Sequence, residues 1–197
     1  MYNFIKQDTF KKCQRSFNVL TPIDKEFINL IKNVNDEFIS QEGLDINSFV
    51  ITTEAEIKLL HSCAIHEYES PALAWKTNTQ VLAPMLILCT PKKNNDMYSM
   101  MQIGRLQTKL GMLAIDHGYL TGFCLCFNIR AIQSWNTLEK YIQKDKISGQ
   151  TIHPITLSIG YSFDLEKPHN WSNVHNKFHG RHTRTDYSNI KVTYPEE

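Results

Sequence analysis

Apolar and polar positions follow two rhythms along this chain. After Thr21-Pro22-Ile23-Asp24, apolar residues fall at Phe27, Leu30, Ile31, Val34 and Phe38, three or four apart, which predicts an amphipathic helix starting near Asp24 and stopped by Gly43. Ser48-Phe49-Val50-Ile51-Thr52 is short and rich in β-branched and aromatic residues, so it predicts a strand. Thr53-Glu54-Ala55-Glu56 then resembles a helix cap leading through Ile57, Leu60 and Ala64. The run Ala83-Pro84-Met85-Leu86-Ile87-Leu88-Cys89, closed by Thr90-Pro91, is continuously apolar and predicts a central strand buried on both faces.

The strongest helical pattern runs from Asp96 to about Gly118. Met100, Ile103, Gly104, Gln107, Leu110, Gly111 and Ala114 are expected to share one face, where the two glycines would admit another backbone. Leu120 to Phe127 reads as a strand, Ala131 to Ile142 as a short helix, and Ile155 to Tyr161 as an alternating strand. Beyond Phe163 the chain turns polar and rich in His and Arg, with Ile190 to Tyr194 as a candidate last edge strand. The order predicts an α+β fold in one domain over residues 1–197.

Charge narrows the function. With 21 Lys+Arg against 20 Asp+Glu the net charge is +1, so the chain lacks the broad basic field of general nucleic-acid binding, and any anion site must be local. MYNFIKQDTF lacks the form of a signal peptide, and no long apolar run marks a membrane span. A soluble cytoplasmic protein without membrane or nucleic-acid partners is expected. Five cysteines without paired CxxC spacing argue against a disulfide framework or structural zinc and predict reduced thiols.

Two cationic stretches are candidates for an anion site. KKCQRSF, residues 11–17, precedes the first helix, and Arg181-His182-Thr183-Arg184 lies near the other end. Either alone is most often solvated surface, but together they would suit a phosphate, which favours arginine forks and lysine point charges. His175, His179 and His182 invite a metal reading, yet HExxH spacing is missing and Asp186 is the sole acidic neighbour. Cys124 and Cys126, on one face of a strand, read as small buried residues, because a disulfide between residues two apart is strained. Asp116-His117 could do acid–base work, but a histidine at a helix C-terminus also complements the helix dipole.

The order of these features resembles that of the FMN-dependent nitroreductase family. The likeness rests on KKCQRSF before helix one, the Ala83-Pro84 strand, the long glycine-containing helix ending Asp116-His117-Gly118-Tyr119, then Leu120-Thr121-Gly122-Phe123. The late strand ending Ile159-Gly160-Tyr161 and the closing Arg184 with Tyr187-Ser188-Asn189-Ile190 complete it. The resemblance implies a central, mostly antiparallel sheet flanked by helices, in an intertwined homodimer holding FMN at the subunit interface. Lys11, Lys12, Cys13, Gln14 and Arg15 would hold the phosphate and ribityl chain, with Arg184 and His182 completing the cradle. Cys124, Leu125 and Cys126 would offer backbone groups to the flavin ring, and Asn78, with Lys76 behind it, would meet the ring's polar edge. FMN's phosphate carries about two negative charges, which several cations from two segments can balance.

The implied activity is an NAD(P)H-dependent FMN oxidoreductase passing reducing equivalents to a nitroaromatic, quinone or other conjugated small-molecule electrophile in a ping-pong cycle. The flavin itself supplies the hydride chemistry, so no catalytic side chain and no metal are assigned. The family's proline- and asparagine-containing turn is replaced here by Gly43-Leu44-Asp45-Ile46-Asn47. That difference motivates an alternative, a non-catalytic flavin-binding sensor or carrier; a third reading is an oxygen-dependent flavin-destroying or dehalogenating relative, which would need reduced flavin from elsewhere.

Overall fold

The structure is a computed structural model that describes residues 17–19, 21–64, 81–93, 96–124, 127, 132, 133 and 135–161. Helix α1 spans Lys25–Gln41, with Asp24 Oδ1 accepting from the backbone N–H of Glu26 at 2.7 Å and Phe27 at 3.1 Å. It ends in a Schellman motif: Gly43 has φ 59°, its N–H donates to Ser40, and the Leu44 N–H donates to Ile39 at 3.0 Å. Strand β1, Ile46–Ile51, leads to helix α2, Glu54–Cys63, and strand β2 covers Met85–Pro91. Thr53 occupies the N-cap of α2 without a side-chain capping bond, unlike the expected capping box.

Helix α3, Met97–Asp116, is capped by Asp96, whose Oδ1 accepts from the Ser99 N–H at 2.7 Å. A second Schellman motif ends it, with Gly118 at φ 84° and the Tyr119 N–H donating to Ala114 at 3.0 Å. Strand β3 is Leu120–Cys124, and within the short helix expected from Ala131 to Ile142, Ile132 and Gln133 are α-helical and Asn136–Tyr141 forms a 3₁₀ helix. A small hairpin of β4, Gln143–Lys144, and β5, Thr151–Ile152, precedes strand β6, Ile155–Gly160. The main sheet has the order β1-β2-β6-β3, and every neighbouring pair is antiparallel. All seven residues of β2 are buried, as the apolar run predicts for an inner strand.

Side chains of the sheet separate into two layers because successive residues point to opposite faces. Met85, Ile87, Cys89, Leu157 and Ile159 pack with Phe27 and Ile31 of α1 and Ile103, Leu106, Leu110 and Ala114 of α3. Leu86, Leu88, Ile51 and Cys124 pack with Ile57 and Leu60 of α2 and Leu138 and Tyr141 of the 3₁₀ helix. In α3 the expected face is the buried one at Ile103, Gln107, Leu110, Gly111 and Ala114, while Met100 is half-buried and Ser99, Gln102 and Leu106 extend the stripe on the other side. Gly111 is buried, but Gly104 is exposed with no atom within 4 Å of its Cβ position, so it mediates no close packing among the described residues.

A polar thread crosses the first of these layers. The Cys89 thiol donates to Ser48 Oγ at 3.4 Å, and Ser48 donates to Asn35 Oδ1 at 2.6 Å, while Gln107 Nε2 donates to the Ile155 carbonyl at 2.9 Å. Burial pushes the Cys89 thiol from 9.0 up to about 11, against the smaller opposing pull of its hydrogen bonds with Ser48 and Gln107. The unfolded thiol therefore ionises at lower pH than the native one, and native stability falls as pH rises between those two values. The full loss is about 2–3 kcal/mol. Cys89→Ala lacks this component, so the gap in urea-unfolding free energy between the two proteins should shrink by that amount from about pH 8 to about pH 11.

Candidate cofactor site

Of the residues expected to contact FMN, Cys124 falls among the described ones. It closes β3, is 3% exposed and faces Thr156 across the sheet. Cys63 and Cys89 are free thiols, but Cys124 is disulfide-bonded. This corrects the expectation of reduced thiols throughout: an odd cysteine count excludes complete pairing, not one bond. Lys11, Lys12, Cys13, Gln14, Arg15, Asn78, Leu125, Cys126, His182 and Arg184 lie outside the described residues, as do Lys76, His175, His179 and the strand expected at 190–194.

The anchor points of the stretches carrying those residues are nevertheless defined. The Asn18 N–H donates to the Tyr161 carbonyl at 2.9 Å, so the end of the basic segment and the start of the C-terminal segment are joined by a backbone bond. Gly160 stands against Pro84 and Phe17: a Cβ there would lie 2.7 Å from Pro84 Cδ and 3.0 Å from Phe17 Cδ1. Phe17, Pro84 and Gly160 thus meet at one end of the sheet, beside the bond from Asn18 to Tyr161. Arg184 is 23 residues beyond Tyr161, so connectivity alone does not bring it to Arg15.

An aromatic corner stiffens this end. Tyr119 stacks on Phe27 at 4.4 Å between ring centroids and meets Tyr161 at 4.9 Å, while its hydroxyl accepts from the Asp24 N–H at 3.3 Å. The Tyr119 hydroxyl is held above its usual pKa, by burial first and by its hydrogen bond with Tyr161 second. His117 belongs to the helix end: its Nδ1 lies 2.9 Å from the Leu113 carbonyl and its ring 5.0 Å from that of Phe27, which supports the capping role over acid–base work.

Cys124 marks the other end of the same strands. Leu120 faces Gly160 and Cys124 faces Thr156, four residues away, a separation of roughly 13 Å at the rise of a strand. The hydroxyls of Thr156 and Ser158 between the two ends are buried at 0% exposure and have no hydrogen-bond partner among the described residues. Gly43–Asn47 is accounted for structurally: Gly43 and Leu44 stop α1, Ile46 and Asn47 pair with Pro91 and Thr90, and Asp45 binds Lys93 at 2.7 Å. Sequence reading missed Phe17, Pro84 and Gly160 as a contact set; the available signal was a glycine ending an alternating strand.

No family model matches the sequence, and no curated protein matches it significantly. Solved structures do match. A nitroreductase family protein from Clostridium difficile 630 aligns over 100% of both chains, with a TM-score of 0.58 at 17% identity. A nitroreductase with bound FMN from Desulfitobacterium hafniense DCB-2 aligns over 98% of this chain and 100% of its own, with a TM-score of 0.58 at 12% identity. The chain has the nitroreductase fold. A nitroreductase-like protein from Streptococcus mutans adds a third match, over 96% of this chain and 98% of its own, with a TM-score of 0.57 at 12% identity. The expected α+β architecture with a mostly antiparallel sheet is the one observed. Among the described residues no helix is long and apolar enough to cross a membrane.

Proposed function

We propose that this chain is a member of the FMN-dependent nitroreductase family: a cytoplasmic, homodimeric oxidoreductase forming one domain over residues 1–197. The observation that carries the reading is the fold shared with a nitroreductase that binds FMN. The bond from Asn18 to Tyr161 is in keeping with it, since it fixes the residue that directly follows the basic segment beside the one that precedes the C-terminal stretch. Lys11, Lys12 and Arg15, with Arg184 and His182, would neutralise the phosphate, and Cys13 and Gln14 would line the same segment. The backbone of Cys124, Leu125 and Cys126 would orient the ring, with Asn78 at its polar edge. When bound, FMN supplies the hydride chemistry. NAD(P)H and then a nitroaromatic, quinone or other conjugated electrophile occupy one pocket in turn, the first as hydride donor and the second as acceptor.

Purified protein incubated with FMN and desalted should retain flavin absorption bands and oxidise NAD(P)H steadily when an acceptor is added. A colourless product overturns the reading. Retained colour without turnover makes the protein a carrier or sensor, and activity confined to chemically reduced FMN favours the flavin-destroying or dehalogenating alternative.

A further inference from the structure

Helix α3 is uncharged on a stripe that faces away from the sheet as well as on the side that packs against it. Met97, Tyr98 and Met101 are 80%, 68% and 61% exposed, Gly104 and Thr108 are exposed beyond them, and Met112 is half-buried. At 3.6 residues per turn Met97, Met101, Gly104, Thr108 and Met112 fall within an arc of about 80° that holds no charge. The outer side of α1 has the usual solvated composition instead, with Lys25, Glu26, Lys32, Asp36 and Glu37 exposed. A helix that is apolar on both sides is one that is covered on both sides. Gly104 points the same way. Glycine weakens a helix interior, and no atom lies within 4 Å of its Cβ position, so the gap it leaves serves no contact among the described residues.

Two parts of this face fit one another. The first turn of α3 presents a knob made of Met97, Tyr98 and Met101. Further along the helix lies an open groove of about 540 Å³, lined by Phe38 of α1 and by Gly104, Arg105, Thr108, Lys109 and Met112. Arg105 and Lys109 stand over the Phe38 ring, 5.6 and 4.8 Å from its centroid, so the groove has an apolar floor and a cationic rim. The knob carries no charge and includes the electron-rich ring of Tyr98, which such a rim attracts. A knob and a hole displaced along one helix both close when that helix meets a copy of itself running the opposite way about a two-fold axis. We propose that α3 packs against α3 of a second copy of this chain in such a pair, with each Met101 seated over the partner subunit's Gly104 and each Tyr98 entering the groove at Phe38. The inference deepens the homodimeric reading above and rests on it; no flavin contact enters it.

Sedimentation of the full chain over a range of concentrations reads the dimer dissociation constant. Met101→Glu should raise it about a hundredfold, because a carboxylate without a partner would be buried at the crossing. Gly104→Leu fills the gap and should raise it about tenfold or more. Leucine is a better helix former than glycine and its Cβ meets nothing in the single chain, so Gly104→Leu should keep or increase the helix content seen by circular dichroism while the dimer weakens. Lys32→Glu reverses a charge on the outer side of α1 and should leave the constant within about twofold. A Met101→Glu or Gly104→Leu dimer as tight as the native one overturns α3 as the interface and leaves the dimer itself standing. Loss of helix content in Gly104→Leu also overturns it, since the position would then be packed within its own chain. A native protein that stays monomeric at every concentration overturns the homodimeric reading, which keeps the two failures apart.

Discussion

Arg15→Ala and Arg184→Ala are each expected to weaken FMN retention by about a hundredfold, whereas Lys167→Ala should leave it within about twofold. The difference follows from what each side chain would face. An arginine at a phosphate makes paired, charge-assisted hydrogen bonds, and deleting it leaves phosphate charge without a partner inside a partly desolvated site. Lys167 lies in neither cationic cluster and would act on the ligand through screened solvent alone. The measurement is flavin retained per protein after gel filtration, followed by titration of the stripped protein. Equal retention in all three variants would remove the phosphate assignment while leaving the fold untouched.

That the two arginines can be singled out at all depends on order along the chain more than on local chemistry. Three cations in KKCQRSF look like surface, and it is the resemblance of the whole motif series that proposes a ligand for them. The contact that anchors the segment was not legible, because nothing in sequence periodicity shows that positions 17, 84 and 160 meet. Helix ends were legible for a local reason: Asp24 and Asp96 cap the N–H groups within three residues of themselves, and Gly43 and Gly118 adopt the positive φ that stops a helix. Strand β2 was legible because an inner strand must be apolar on both faces.

The rest failed where the signal was shorter than its period. β4 and β5 have two residues each, too few for alternation to register. Gly104 was assigned to the packed face of α3 because a glycine at the edge of an apolar stripe carries no side chain that tells the packed side from the solvent side. The buried set, which runs through Ile103, Leu106, Leu110 and Ala114, leaves that glycine on the solvent side.

The same stripe yields the largest expected effect on stability. Leu110 is 0% exposed in α3 and belongs to the cluster formed by Ile31 of α1 and Ile87 and Leu157 of the two inner strands. Leu110→Ala deletes three buried carbons at the junction of a helix pair and the sheet, where α3 cannot settle inward without also moving Leu106 and Ala114. The residual cavity adds to the lost transfer energy, for a total of about 3–5 kcal/mol. For a chain of this size that lowers the melting temperature by roughly 6–20 °C. Ile147, 83% exposed in the turn between β4 and β5, is the contrasting case. Ile147→Ala removes as much hydrocarbon from a position that water already covers, and its melting temperature should stay within about 2 °C of the native value. Thermal unfolding followed by circular dichroism decides between them. A Leu110→Ala protein as stable as Ile147→Ala would mean that α3 does not bury the face on which the sheet's packing depends.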